Sequence, residues 1–245
     1  FARFEKVIRT LSPNTVIFSD IGPDARWCGN ENGIVAKTNW NTLDTAGFNR
    51  GVGAPPTDTL NQGNIFGKTW IPAECDVSIR PGWFYHKKED SLVKTPQQLF
   101  EIYLKSVGRG ANLILNVPPD GRGLITQFDS ASLIEFKKLR ESSFQNNLSK
   151  KGLAFVRNGK MKKDGKNLND GNDRSYESTA SNGSQSLEIA FNQPQKINCI
   201  VLKENLLNGQ NCIAFKIRLV NKQHEVVKEI DGTTIGHKRI LTFTE

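Results

Sequence analysis

The sequence predicts an α/β fold followed by an all-β module. Residues 1–145 alternate helix-like and strand-like segments with long polar loops, a pattern typical of parallel strands joined by helices. Residues 185–245 carry short strand-like runs with turns between them, which favours a β-sandwich. At about 145 residues, the first part is far shorter than the roughly 250 of a complete eight-stranded barrel. We therefore expect the C-terminal part of a (β/α)8-like (TIM-type) barrel and then a sandwich.

The stretch between these two parts is predicted to be linker and loop. Residues 146–184 are rich in Asn, Lys, Gly, Ser and Asp, the composition of connecting segments. The β module is expected over residues 185–245, with a start near residue 150 as the alternative. Its set of strands looks incomplete where the sequence ends.

The first elements are a helix and a short strand. Residues 2–11 place apolar side chains at helical spacing, which predicts a helix that Pro13 ends. Residues 15–18 predict a short buried strand. The Gly-, Asn- and Thr-rich region 22–67 is too long for a simple connection, which indicates a functional loop.

A second helix, a strand and a third helix follow. Thr95–Gln98 has the pattern of a capping box with proline at the first helical position, and the helix it begins is expected to end at Gly108. Residues 112–117 are nearly continuously apolar, as expected of a strand buried on both faces. A helix is predicted over residues 129–140. Strands of the β module are predicted over 187–191, 197–202, 213–220, 226–227 and 240–243.

Composition argues against several classes of function. The formal charge is +8, but the basic residues form no stripe interleaved with aromatic residues, so nucleic-acid binding is not expected. No apolar run reaches the roughly 18 residues of a membrane span. The four cysteines, Cys28, Cys75, Cys199 and Cys212, lack metal-binding spacing, so we expect no metal and no cofactor. Buried free thiols are favoured for all four, although Cys199 and Cys212 could face each other.

The run from Asp24 to Gly33 is the first candidate site. It places Glu31 among Arg26, Trp27 and two glycines, directly after a strand-like segment. A carboxyl group beside an indole loses hydration and stays protonated long enough to donate a proton, as a general acid in glycoside cleavage must. The alternative is a glutamate that caps a Gly-rich turn.

Three motifs in this order carry a family resemblance. They are Arg26–Glu31, the run from Trp70 to His86, and Ser106–Asp120. Together they resemble glycoside hydrolase family 29, the α-L-fucosidases, and within it the subfamily that acts on α-1,3/1,4-linked fucose. The resemblance covers roughly residues 1–145.

The resemblance implies a retaining mechanism on a barrel, with two carboxyl groups. Glu31 matches the acid/base, and Glu74 is the competing candidate. The nucleophilic Asp of the family lies in a Trp-Phe-Asp-Gly-like strand end that this sequence does not contain; Asp20 and Asp24 are not in that motif. Because retention requires both carboxyl groups, we expect the chain alone to be inactive and to need the missing N-terminal half of the barrel.

The resemblance also implies sugar contacts. Trp83 matches an aromatic residue that packs on the apolar side of fucose near its methyl group. Trp27, Arg26 and Glu74 are candidate contacts of the sugar or leaving group. The alternative roles are structural: a tryptophan filling the barrel mouth, or an ion pair of Glu74 with Arg80 that holds a loop.

In the β module, residues 173–180 resemble the motif before the first core strand of discoidin-like (F5/8 type C) sandwiches. Such a module would attach to carbohydrate or act as a passive spacer. The expected partners are fucosylated oligosaccharides or glycoconjugates, and the expected location is periplasmic or secreted. The alternatives are a non-catalytic carbohydrate-binding protein derived from a fucosidase and a barrel hydrolase acting on another sugar.

Overall fold

The computed structural model describes residues 1–158, 161–178 and 185–243. The helices of this part are α1 (Ala2–Leu11), α2 (Thr57–Gln62), α3 (Pro96–Lys105) and α4 (Gln127–Phe144). Its strands are β1 (Phe18–Ser19), β2 (Ala25–Trp27), β3 (Thr42–Leu43), β4 (Thr69–Trp70), β5 (Ala73–Ser78), β6 (Asn112–Asn116), β7 (Leu153–Asn158), β8 (Met161–Asp164), β9 (Ser186–Ala190), β10 (Cys199–Leu202), β11 (Phe215–Val220), β12 (Val226–Gly232) and β13 (Arg239–Thr242). The predicted α/β part and β-rich part are therefore both present.

A four-stranded sheet in the order β1-β2-β5-β6 organises the first part. All three pairings are parallel, so the carboxyl ends of the strands lie at one edge of the sheet. Helix α3 provides the crossover from β5 to β6, as parallel neighbours require. The region 22–67, predicted as a long loop, contains β2, β3 and α2.

Alternation along β5 separates an apolar face from a polar face. Ala73 and Cys75 are buried with Cys28, Val35 and Ala111 in one apolar cluster. The intervening side chains of β5, which point to the other face, are half-buried carboxylates. Burial of the apolar face stabilises the sheet by about 25 cal/mol per Å² of apolar surface removed from water. The polar face remains available for a site.

Two strand predictions need correction. Strand β6 is not buried on both faces: Ile114 is 39% exposed, because β6 is the edge strand of this sheet in the described chain. The first strand is shorter and later than predicted, at Phe18–Ser19, and Val16 is 68% exposed. Apolar composition alone did not distinguish an edge strand from a central one.

The helix predictions are closer to the structure. The capping box at Thr95 is present: the Thr95 side chain accepts from the Gln98 backbone, and the Gln98 side chain accepts from the Thr95 backbone. Helix α3 ends at Lys105 rather than at Gly108. Helix α4 is longer than predicted. Helix α1 forms where expected, but none of its residues is buried.

The first compact unit comprises Phe1–Arg140, Cys199–Ile217 and the described residues from Ile230 onward. Specific polar contacts connect these segments: the Asn41 backbone donates to the Gln210 side chain at 2.9 Å, and the Asn39 backbone donates to the Thr234 hydroxyl at 3.0 Å. Part of the predicted β module therefore packs with the α/β part, which differs from the predicted division near residue 146.

The second unit comprises Glu141–Asn198 and Arg218–Glu229. It contains an antiparallel sheet in the order β8-β7-β9. The segment 146–184, predicted as linker and loop, thus supplies β7 and β8. Cross-strand pairs support this sheet, including Arg157 with Glu188 at 2.5 Å. Residues 159–160 and 179–184 of that segment, with the end of the 173–180 motif, lie outside the described residues.

Strands β3 and β4 form a further two-stranded sheet, and the last four strands form two more, β10-β13 and β11-β12. With β9, these last four strands correspond to the five strands predicted for residues 187–243. The cysteines are all free thiols, but Cys199 and Cys212 are only half-buried, so the expectation of burial holds for Cys28 and Cys75 alone.

Candidate active site

The loop after β2 carries Glu31 and is clamped at both ends. Asn61, on α2, donates from Nδ2 to the carbonyl oxygens of Cys28 (2.7 Å) and Ile34 (3.0 Å). Asn30 donates to the same two carbonyl oxygens, at 3.2 and 2.8 Å. These four bonds hold the loop closed and leave Glu31 exposed. A polar cleft of about 290 Å³ lies between the loop and α2.

The structure brings Glu31 and Trp83 together. Trp83 Nε1 donates to Glu31 Oε2 at 2.8 Å across 52 residues of sequence. Hydrogen bonds to a charged group are shorter and stronger than neutral ones, so the indole fixes the direction of the carboxylate. The indole that contacts Glu31 is thus supplied by Trp83, after β5, and not by Trp27, its neighbour in sequence.

Trp27 instead contacts Asp76, a residue that sequence reasoning missed. Trp27 Nε1 donates to Asp76 Oδ1 at 2.8 Å. Burial raises the pKa of the Asp76 carboxyl, the Trp27 hydrogen bond opposes that rise, and the charge of Glu31 adds to it. Glu31 and Asp76 are therefore close enough for an electrostatic interaction. The alternation of β5, which puts Asp76 on the polar face with Glu74, could have identified it.

Glu74, the competing acid/base candidate, lies near the start of β5. It is half-buried, and Asn112 Nδ2 lies 3.4 Å from its Oε2. The structure therefore places Glu31 past the carboxyl end of its strand and Glu74 near the amino end of its strand. Parallel α/β folds carry their chemistry at the carboxyl ends of the strands, which favours Glu31.

The alternative structural role of Glu74, an ion pair with Arg80, is not seen among the described residues. Arg80 instead pairs with Asp129 at 2.7 Å, and the side chains of both residues are 0% exposed. It also pairs with Asp90 at 2.9 Å and lies over the Tyr85 ring, 4.9 Å from the centroid. The Asp129 and Asp90 hydrogen bonds raise the pKa of Arg80. Arg80 thereby fastens the loop that carries Trp83 to the start of α4.

Arg26 is a buried structural residue. Its guanidinium is 0% exposed and donates to the carbonyl oxygens of Leu60 (2.8 Å), Trp40 (2.9 Å) and Ile71 and to the Asn39 side chain (3.2 Å). Burial lowers the pKa of Arg26 to about 10. The structure does not support the predicted sugar contact of Arg26, because these bonds occupy Nε and both terminal nitrogens and leave no exposed face.

The two other aspartates near Glu31 in sequence serve local structure. Asp24 Oδ2 accepts from Arg9 at 2.5 Å and from the Ile17 backbone at 2.7 Å. Asp20 accepts from the Ile21 and Gly51 backbones, each at 2.9 Å. Neither carboxylate contacts Glu31 or Trp83.

Further chemistry is limited among residues 1–158, 161–178 and 185–243. No group of three or more His, Cys, Asp or Glu side chains there could hold a metal ion. No helix in this part of the chain is long and apolar enough to cross a membrane. Cys28 and Cys75 are buried neighbours in the apolar cluster, and the Cys75 thiol lowers the pKa of Cys28. Apart from this thiol pair, the structure shows the Glu31 carboxylate bonded to the Trp83 indole and close to a second carboxyl group, that of Asp76.

This arrangement defines a class of protein. A parallel α/β sheet with a carboxylate and aromatic side chains at the carboxyl ends of its strands is one arrangement found in glycoside-cleaving enzymes. The model of the family described as α-L-fucosidase matches residues 5–138, more than half of the chain. The chain belongs to this family, glycoside hydrolase family 29.

Individual relatives agree with the family match. Alpha-L-fucosidase 1 of Arabidopsis thaliana is 36% identical over 251 residues, which cover 99% of this chain and 48% of the relative. The crystal structure of SpGH29 superposes with a TM-score of 0.88 at 31% identity, covering 99% of this chain and 53% of that one. A mutant of a GH29 fucosidase from Ruminococcus gnavus, solved in complex with fucose, has a TM-score of 0.84 at 25% identity, covering 99% and 51%. The chain spans about half the length of the curated relatives it matches.

Proposed function

We propose that the polypeptide carrying this chain is a retaining α-L-fucosidase that removes terminal α-1,3/1,4-linked L-fucose from glycans. Glu31 is its general acid/base. The observation that carries the proposal is the 2.8 Å bond from Trp83 to Glu31, since it joins two of the family motifs at one point. The family match and the relative solved with fucose support the substrate class.

Glu31 acts in both steps of the proposed reaction. In the first, its carboxyl proton passes to the glycosidic oxygen as the bond to fucose breaks; in the second, the carboxylate takes a proton from the attacking water. The indole of Trp83 orients Glu31 and offers an aromatic surface to the 6-deoxy sugar. Exposure of Glu31 suits a group that exchanges protons with water between the steps.

The nucleophile is proposed to come from outside residues 1–245. Retention requires a second carboxylate about 5–5.5 Å from the acid/base. Asp20 and Asp24 are engaged by backbone and arginine donors away from Glu31, and the family motif for the nucleophile is absent. The sheet β1-β2-β5-β6 is correspondingly proposed to be part of a TIM-type barrel that the N-terminal half completes.

The β-rich part is proposed to include a discoidin-like (F5/8 type C) sandwich. Support comes from the 173–180 motif and from the short antiparallel strands after it. Binding of carbohydrate and a passive spacer role remain the two alternatives for this module. A periplasmic or secreted location likewise stays a prediction.

The test is fucose release by the natural polypeptide that carries this sequence. Wild type should release fucose from an α-1,3/1,4-fucosylated oligosaccharide, and Glu31→Gln should lower turnover about 10²- to 10⁴-fold, the usual contribution of general acid–base catalysis. Glu74→Gln is the matched control and should stay close to wild type. Tight oligosaccharide binding without release by wild type would favour the non-catalytic carbohydrate-binding alternative.

A further inference from the structure

We propose that Asn116, at the carboxyl end of β6, is a positioning residue for the acid/base Glu31 and acts through Trp83. The inference rests on the proposed function for the role of Glu31. It concerns β6, the strand next to β5, which has no other role in the proposed reaction. Asn116 holds the Trp83 backbone, the Trp83 indole contacts Glu31, and a separate anchor at Arg80 holds the fold of the loop.

The first link is a pair of hydrogen bonds from the Asn116 amide. Its Nδ2 donates to the Trp83 carbonyl oxygen at 2.9 Å and to the Ser78 hydroxyl at 3.1 Å. A backbone carbonyl can only accept, so the amide must present its nitrogen here. The Ser78 hydroxyl in turn donates to the Gly82 carbonyl oxygen at 2.7 Å. Side chains of β5 and β6 thus hold two adjacent peptide groups of the loop.

Asn116 is a rigid point of attachment. Its backbone pairs with Ser78 in the parallel ladder of β5 and β6, and its carbonyl oxygen accepts from the Ile79 backbone at 3.0 Å. A side chain that projects from a strand locked in this way holds its target more accurately than one on a loop.

The second link carries that rigidity to Glu31. With its carbonyl held by Asn116, Trp83 extends its indole to Glu31 Oε2 at 2.8 Å. A displacement of about 1 Å in a reacting group costs about 10²-fold in rate. A shift of the Trp83 backbone therefore moves the carboxylate that must meet the glycosidic oxygen.

The loop that carries Trp83 is also attached to the fold independently of Asn116. Arg80 fastens the base of the loop to Asp129 and Asp90, several residues before Trp83. Loss of the Asn116 amide should therefore leave the loop attached and the protein folded, while the indole loses its fixed direction.

The indole N–H resonance of Trp83 tests this inference without requiring hydrolysis. In the natural polypeptide, Trp83→Phe identifies the resonance, and Glu31→Gln shows that its pH response reports Glu31. We expect Asn116→Ala and the isosteric Asn116→Asp, which lacks the amide donor, to abolish that response. Asn112→Ala is the matched control, since Asn112 is an exposed asparagine on the same strand that faces Glu74, and it should keep the response.

Kinetics supply the second readout. On fucosylated oligosaccharide, whose leaving group needs protonation, both Asn116 variants should lose on the order of 10²-fold in turnover. On an aryl fucoside with a good leaving group, kcat/KM, which reports the first step, should fall little, because that departure needs little acid assistance. A merely structural role would lower both rates alike.

Each outcome decides the inference. A wild-type pH response of the indole in Asn116→Asp would overturn it, and so would unfolding of both Asn116 variants, since the amide would then hold the fold rather than the indole. Absence of fucose release by wild type would refute the proposed function, while the indole resonance would still show whether Asn116 directs Trp83.

Discussion

The buried pair of Arg80 and Asp129 makes a quantitative prediction about the loop that carries Trp83. Replacing Asp129 by alanine leaves the Arg80 guanidinium, whose side chain is 0% exposed, without its main counter-charge. Asp129 accepts from Nε at 3.0 Å and from a terminal nitrogen at 2.7 Å. Breaking one side of a buried ion pair costs about 3–5 kcal/mol, so Asp129→Ala should lower the free energy of unfolding by that amount.

The neighbouring contacts refine this magnitude. Arg80 keeps its bond to Asp90 at 2.9 Å, which places the expected value in the lower part of that range. Asp129 lies in the first turn of α4, where a negative charge contributes about 0.3–1 kcal/mol through the helix dipole, and its loss acts in the other direction. Asp129→Asn, which keeps one acceptor of the same shape, should cost less than the alanine variant.

The assay is equilibrium unfolding in urea, with a control on the same helix. Glu135 pairs with Lys138 at 2.7 Å, but both side chains are more than half exposed, so Glu135→Ala should cost no more than about 0.5 kcal/mol. A decrease of less than about 1 kcal/mol in the free energy of unfolding of Asp129→Ala would refute the reasoning, because a buried guanidinium without its counter-charge destabilises the fold by more than that.

Two further predictions concern the residues around Glu31. Trp27→Phe removes the indole donor that favours the charged form of Asp76, so the pKa of Asp76 should rise further; a carboxyl NMR titration that moved to lower pH would contradict this. Gly33→Ala should destabilise the fold by about 1–3 kcal/mol in urea unfolding, because Gly33 has φ +69° and a Cβ there would lie 2.8 Å from the Ile102 side chain. The control Gly53→Ala, with no atom within 4 Å of the added carbon, should be nearly neutral, and equal costs would contradict the argument.

Local signals predicted the elements whose determinants lie within a few residues. The capping box at Thr95 specifies the start of α3 through bonds that span three residues, so pattern and structure agree. The exposure of β6 was not predictable in this way. Whether an apolar strand is central or at an edge depends on which strands lie beside it, and that is a property of the whole sheet.

In the site, too, single residues were predictable from local motifs, whereas their contacts depend on the whole fold. Glu31 and Trp83 were both identified from motifs, but their contact spans 52 residues and required the parallel order of β2 and β5. Arg26 was misassigned because its side-chain chemistry suits either a ligand or a buried cluster of carbonyl oxygens. Asp76 was overlooked because its significance comes from Trp27 and Glu31, which only the fold brings near it.

The leaving-group dependence of Glu31→Gln tests the central claim most directly. In the natural polypeptide, kcat/KM, which reports the first step, is measured for wild type and for this variant on a fucosylated oligosaccharide and on an aryl fucoside whose leaving group needs no proton. If Glu31 is the general acid, the variant should lose about 10²- to 10⁴-fold on the oligosaccharide and far less in the first step on the aryl fucoside. Equal losses on both substrates, or this selective pattern in Glu74→Gln instead, would contradict the assignment of Glu31.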